Sequence, residues 1–362
     1  MGSLFDRFIL DFGSFTTKYG LAAEELQFPT ENHTIVGTYE KEGFSGVTKV
    51  SAGTSVLKDK EITGGFRLKT LHPMVSRGQL KLSSETVLYM ESFLNQTFRS
   101  CYAMSGESFS MTSLRDKHLS VSLAQVQSEA TIKDLTQLIF EKYGMSSLQC
   151  LNPLQNIAYV LNDTTSTQDA FIMEIGHGIT QLGRFNSSAY TIIPLGGMDV
   201  TKYIKDNLGT DEPILKLTEL KETNCNCIVP SISTSVESNV YNQAPETLFK
   251  NPFFISNISQ FLVNSLQSSS STDSPTLFIS GGTSLLKNFK ERLQYELSNS
   301  NTLLNNIQIQ HSKLGKDTSY FGACKQVATD YPSALNTALR EDYKEKGVSR
   351  LLAEVYPQVI SK

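Results

Sequence analysis

The sequence has no tryptophan, so the largest apolar anchors are missing, and its 39% hydrophobic content fills two domain cores without suggesting a membrane protein. It also lacks any run rich in lysine and arginine. The 32 basic and 36 acidic residues are spread along the chain for a net charge of −4, so direct nucleic-acid binding is not expected. Met1 to Asp6 holds no long apolar segment of the secretory kind, and Asp6 stands where a myristoylation signal needs Ser or Thr. An unexported chain without a membrane attachment is expected. Cysteine is sparse: Cys101, Cys150, Cys225, Cys227 and Cys324 form an odd set without paired ligand spacing, which supports neither a disulfide framework nor a zinc site. Reduced thiols are expected, and the sequons at Asn32, Asn95, Asn162, Asn186 and Asn257 carry no weight in an unexported chain.

With 362 residues the chain exceeds the usual limit of a single core, and two lobes are expected. Phe8-Ile9-Leu10 is a buried-strand run that ends at Asp11, and Gly13 with Ser14 turns it into a second extended stretch from Thr16 to Ala22, a β-hairpin. Asn32 to Gly65 is rich in Gly, Thr and Lys with weak alternation and reads as a small, mobile, solvent-facing subdomain. Leu82 to Phe98 and Thr131 to Tyr143 are helix-like, and the stretch from His118 to Leu123 between them alternates like a strand. A second strand from Ala170 to Ile175 ends at Gly176, and Asp199 is a candidate N-cap for a helix carrying Val200, Tyr203, Ile204 and Leu208. After the polar stretch 268–275, read as a surface loop, Thr276 to Ser280 runs into Gly281-Gly282-Thr283 and then a helix marked by Leu285, Leu286, Phe289 and Leu293.

The two hairpins repeat one pattern. Asp11 has Gly13 two residues on, Thr17 six on and Gly20 nine on; Glu174 has Gly176, Thr180 and Gly183 at the same spacings. Glycine after the strand lets backbone N–H groups approach a phosphate, and a carboxylate at the strand end can hold the hydrated metal of a metal–nucleotide complex. Either acid-x-Gly alone is equally a tight turn leaving a strand. The repetition is what favours two loops serving one triphosphate.

These residues resemble the actin family, within the wider group of sugar kinases and heat-shock chaperone ATPases. Asp11-Phe-Gly-Ser-Phe-Thr-Thr-Lys18 resembles the first phosphate loop and Glu174-Ile-Gly-His-Gly-Ile-Thr-Gln181 the second. Pro194-Leu-Gly-Gly-Met-Asp199, Leu220-Lys-Glu-Thr-Asn-Cys225, Pro245-Glu-Thr-Leu-Phe249, Ile279-Ser-Gly-Gly-Thr283 and Leu339-Arg-Glu-Asp-Tyr-Lys-Glu-Lys-Gly347 are similar to further family stretches in the same order. The resemblance implies an α/β fold of actin type, two lobes each built on a mixed sheet with flanking helices. The first lobe would take 1–150 with a small subdomain at about 32–66, the second 151–317 with a reduced fourth subdomain at about 205–262, and 318–362 would return to the first. It implies bound ATP or ADP with Mg2+ or Ca2+. Gly13, Ser14 and Lys18 would meet the β-phosphate side, with Gly176, His177 and Gly178 in the second loop, while Asp11 and Glu174 would face the metal through water. Lys221, Glu222, Gly281, Gly282, Thr283 and Lys316 would wall adenine and ribose, and Gln155 would position the attacking water.

The chain departs from the family pattern in its second loop. Two Asp residues normally flank the first Gly there; here they are Glu174 and His177, Gln181 takes the place of a His that polarises the attacking water, and Phe15 replaces a Gly of the first loop. Imidazole and carboxamide are poor substitutes in metal and water positioning, so slow or absent hydrolysis is expected with nucleotide retained. A competing reading of His177 is a polar turn residue satisfied by backbone or water, with no nucleotide. The stretch 209–280 is also short for the family. A trimmed pointed-end surface implies a structural subunit that binds other actin-family or complex subunits and does not self-polymerise, such as the pointed-end subunit of dynactin in the cytoplasm. The alternatives are a nuclear subunit of a chromatin remodeller and a small-molecule kinase, which would need a catalytic Asp that no motif announces.

Overall fold

The structure is a computed structural model that describes residues 6–22, 27–41, 48–58, 61–62, 65–161, 170–185, 187, 190–230, 239–250, 257–267, 276–300, 307–330 and 337–356. The fold is α/β. The chain divides into two compact units, Met1–Val160 with Ser319–Lys362, and Leu161–Thr318.

In the first unit β1 (Arg7–Phe12) and β2 (Thr16–Leu21) form the expected hairpin, and β3 (Thr30–His33) lies antiparallel on β2. The apolar run of β1 is buried throughout Arg7–Leu10, as a strand flanked on both sides requires. The stretch expected to form a small subdomain holds a four-stranded sheet, order β5-β4-β7-β6, from β4 (Ile35–Lys41), β5 (Thr48–Ala52), β6 (Glu61–Ile62) and β7 (Phe66–Pro73). Val36, Tyr39, Ala52 and Val56 are buried and give it apolar contacts that its weak alternation conceals. A short hairpin of β8 (Val75–Ser76) and β9 (Gln79–Leu80) follows. The next helix spans Val87–Met104 rather than starting near Leu82, because Ser83 and Thr86 hydrogen-bond locally: the Ser83 N–H donates to Thr86 Oγ1 at 2.9 Å. β10 (His118–Ser122) runs parallel to β1, and β11 (Ser147–Leu151) parallel to β10. Between them the helix Glu129–Gln137, whose Thr131 N–H donates to the Ser128 side chain, continues into a single π-helical turn, Leu138–Lys142.

The second unit holds β12 (Ala170–Ile175), β13 (Thr180–Arg184), β14 (Tyr190–Ile193), β15 (Thr276–Ser280) and β16 (Gln308–His311) in the order β14-β13-β12-β15-β16. β17 (Thr337–Leu339) then pairs antiparallel with β11, so the first unit's sheet reads β17-β11-β10-β1-β2-β3. Leaving β17 aside, the two sheets repeat one plan: a hairpin whose first strand has two parallel strands on one side and whose second has an antiparallel neighbour on the other.

Each unit has its own core. Phe8 packs edge to face on Phe98 with centroids 5.1 Å apart, and Phe12 lies 6.0 Å from Phe93, in the first. In the second, Met173, Ile175, Leu277, Ile279, Phe289 and Leu293 pack together, and a fully buried Arg292 anchors the motif Pro245–Phe249. Its guanidinium meets both Glu246 carboxylate oxygens and, at 2.8 Å, Glu296, and it stacks 4.7 Å from the Phe249 ring. The Pro245–Phe249 motif therefore serves the framework.

Asp199 is not the N-cap expected of it. The helix is Gly197–Leu208 with Gly196 at the N-cap, and the Asp199 carboxylate sits one turn in and accepts from the Gly196 N–H at 2.9 Å. After Gly281-Gly282 a 3-10 turn, Gly282–Leu285, precedes the helix Phe289–Ser300. The expected loop 268–275 and the sequons at Asn162 and Asn186 lie outside the described residues. All five cysteines are free and buried, and burial pushes Cys101, Cys150, Cys225 and Cys324 up to about 12, so these four are unreactive thiols at neutral pH. Among the described residues no helix is long and apolar enough to cross a membrane.

Candidate functional site

The first loop closes on itself through the Gly13 N–H, which donates to the Thr16 carbonyl at 3.1 Å. A Cβ on Gly13 would stand 2.5 Å from that carbonyl, so the turn needs glycine for close approach. Register places Asp11 opposite Lys18, two unlike charges on one face of the hairpin, and Lys18 is buried. The Asp11 carboxylate also accepts from Ser319 Oγ at 3.3 Å, and Ser319 belongs to a buried set in which Asn156 Nδ2 donates to Ser122 Oγ at 3.0 Å. Ser14 Oγ accepts from the Gly78 N–H at 3.3 Å, tying the loop to the turn between β8 and β9. Phe15 sets its ring edge-on to His33, 4.8 Å between centroids, so this loop's extra bulk is taken up by the neighbouring strand. Gln155 lies half-buried in the first turn of the helix Pro153–Leu161, just after β11, and hydrogen-bonds to no described residue.

The second loop closes in the same way: the Gly176 N–H donates to the Ile179 carbonyl at 2.9 Å. The acid is again opposite a long polar side chain, but it is Glu174 facing Gln181, and Gln181 Nε2 donates to Glu174 Oε2 at 2.8 Å. Gln181 Oε1 is sealed from solvent without a donor among the described residues. The loop backbone is then braced from two sides. The Gly197 N–H donates to the Gly176 carbonyl at 3.0 Å and the Met198 N–H to the His177 carbonyl at 2.6 Å; Thr283 Oγ1 also donates to the Gly176 carbonyl, at 2.8 Å. Gly281, at φ 89°, packs on Ile175 where any side chain would collide with the Ile175 carbonyl. Three glycine turns thus meet at the carboxyl ends of the parallel strands β12 and β15, the end of an open α/β sheet where ligands bind.

Lys221 completes this cluster. It is 5% exposed on the helix Ile214–Asn224, makes no hydrogen bond or ion pair with any described residue, and its Nζ lies 3.2 Å from the position a Cβ would take on Gly197. Burial pulls its pKa below the ordinary lysine value. Glu222, one position and about 100° further round the helix, is exposed and stands apart from this cluster side. Gly282 is exposed, and a Cβ there would meet nothing nearer than the Lys316 Cβ at 4.0 Å. Lys316 itself sits in the turn Gly315–Asp317, which Ser280 Oγ holds to the end of β15 through the Gly315 carbonyl at 2.9 Å. The structure therefore brings Glu174, Gly176, His177, Lys221, Gly281 and Thr283 together and leaves Gly282 facing open space beside Lys316.

Neither carboxylate stands alone as a cation ligand, and among the described residues no three His, Cys, Asp or Glu side chains gather as a metal-binding group. Gly196-Gly197 lay in a family-like stretch but was given no site role from sequence, and the Ser122–Asn156–Ser319 set was not singled out at all. The double glycine before a helix was a usable signal for the first; the second is assembled from residues far apart in the chain. Compared with protein-family models the chain matches none, and no curated protein matches it.

Proposed function

We propose that this chain is a divergent actin-related protein that binds ATP or ADP, hydrolyses it slowly or not at all, and serves as a structural subunit of a multiprotein assembly. One observation carries the reading: two sheets of the same strand order each send an acid-x-Gly hairpin, closed by the same glycine hydrogen bond, to the carboxyl end of their parallel strands. A backbone plan used twice, with side chains that differ, supports a nucleotide-binding loop at the carboxyl end of the sheet in each unit. The purine side rests on the second unit, where Gly282 leaves space above its backbone beside Lys316 and where Lys221 is a buried cation that makes no hydrogen bond or ion pair with a described residue. The weak hydrolysis rests on Gln181, whose amide is committed to Glu174 and has no group that can act as a general acid or base at neutral pH.

The full chain purified from cells is expected to release stoichiometric ATP or ADP on acid extraction and to bind fluorescent ATP. Finding neither would end the nucleotide reading. In a single-turnover assay cleavage is expected to be slow; brisk cleavage that His177→Asp does not increase would overturn that part. At micromolar concentration with ATP, magnesium and salt the chain is expected to stay in the supernatant on sedimentation, and affinity capture is expected to return a defined complex that includes other actin-family subunits. Pelleting as filaments would replace the subunit reading with an ordinary polymerising actin.

A further inference from the structure

The strands of the first unit's sheet alternate between two covered faces. On one face Phe8 and Leu10 of β1, Leu119 and Val121 of β10, Leu148 of β11 and Ala338 of β17 join the apolar core. The other face is covered too, yet it is polar: Arg7, Ser120, Ser122, Ser147 and Gln149 are all buried on it. A buried polar group costs stability unless it is hydrogen-bonded, so each of these needs a partner. Most have one. Arg7 Nη1 donates to the Val327 carbonyl at 2.9 Å, Ser147 Oγ shares a hydrogen bond with His118 Nδ1 at 2.9 Å, and Ser122 Oγ accepts from Asn156 Nδ2 at 3.0 Å.

One adjacent pair is left short. Gln149 and Thr337 stand directly opposite each other in the β11–β17 register, so their side chains share this face. Gln149 Oε1 accepts from Ser120 Oγ at 2.9 Å, on the β10 side. Gln149 Nε2, at the other end of the amide, and Thr337 Oγ1 are both sealed from solvent without a hydrogen-bond partner among the described residues. Exchanging the two ends of the amide leaves the same shortfall, one amide atom and one hydroxyl. A ligand that satisfies both has to accept from one atom and donate to the other, and it has to fit between neighbours in one sheet. It also has to be neutral, because the row that crosses the strands here holds only Ile9 and Ser120 besides this pair and offers no counter-charge. Water meets all three conditions.

We infer that the first unit binds an internal water between Gln149 Nε2 and Thr337 Oγ1, and that this water helps to fix the C-terminal strand β17 on β11. The site lies wholly within the first unit and does not depend on the nucleotide reading.

The test is a crystal structure of the full chain at a resolution that shows ordered solvent, joined to urea unfolding of variants. A solvent peak within hydrogen-bond distance of both atoms is expected; density that shows other internal waters but none here overturns the inference. In solution Thr337→Val, which removes the hydroxyl and keeps the β-branched shape, is expected to lower the urea midpoint. That loss is expected to shrink by about half or more when the same change is made in a Gln149→Met background, because the two side chains then no longer share a ligand. If the hydroxyl is dry, Thr337→Val removes an unsatisfied polar group and raises the midpoint instead. A raised midpoint, or an equal loss in both backgrounds, overturns the inference.

Discussion

Across the first hairpin Asp11 faces a buried lysine; across the second Glu174 faces a glutamine. The backbones around them are alike down to the glycine N–H that closes each loop, and so are the strand neighbours on either side. Backbone geometry and side-chain chemistry have therefore separated in this chain. The turns, set by glycine and by register, are the same twice over. The groups that would handle a metal and a water are not. A loop's shape reports what can be held close to it; only its side chains report what is done there.

The comparison can be pressed from several sides. The largest effect is expected away from both loops: Arg292→Ala leaves Glu246 and Glu296 without their buried cation, and urea unfolding should show a loss of about 3–5 kcal/mol. Next, the matched glycines should prove unequal. A Cβ on Gly13 would lie 2.5 Å from the Thr16 carbonyl, whereas on Gly176 it would lie 3.3 Å from the Ile179 carbonyl. Gly13→Ala should cost about 1–3 kcal/mol and Gly176→Ala clearly less; equal costs by chemical denaturation would erase this difference between the two loops. Gly282→Ala should change stability by less than about 0.5 kcal/mol, since nothing crowds that position, while lowering ATP affinity about tenfold, or ~1.4 kcal/mol.

The smallest effect concerns pH. Burial lowers the pKa of Lys221 from 10.5, so the folded chain without ligand binds fewer protons than the unfolded chain over the window between the lowered value and 10.5. Stability should rise with pH through that window, with the cost of the buried charge fully present below it. Lys221→Met should remove this rise in urea unfolding at a series of alkaline pH values, and bound nucleotide should flatten it in the native chain.

The parts of the site legible in sequence were those made by neighbours in the chain. Phe8-Ile9-Leu10 before Asp11-x-Gly13 announces a strand and its turn within six residues, and the same holds for Met173 to Gly176. Lys221 and Glu222 could not be told apart in this way. They are adjacent on a helix whose apolar positions do not mark one face, and only the packing of Leu217, Thr218 and Lys221 shows which side is covered. Asp199 was legible as a helix-start residue but not its place in the cap, because Ser, Thr, Asn and Asp act both at the N-cap and one turn inside it. The four-stranded sheet was obscured by its pattern: threonine and lysine are interspersed through its strands, and in β4 the buried residues Val36, Gly37, Thr38 and Tyr39 are consecutive, so no alternation of apolar and polar residues announces a strand.

The first unit is interrupted by the second. β11 gains β17 as its neighbour only when residues 337–339 are available, the Arg340 N–H donates to the Ser146 carbonyl at 3.0 Å, and Tyr356 Oη reaches the Leu148 carbonyl at 2.7 Å inside the core. During synthesis the contiguous Leu161–Thr318 has all its strands out of the ribosome while β11 still presents a bare edge. The second unit can therefore complete its fold first. The half that starts the chain finishes last, and in the interval its open edge can pair with another chain.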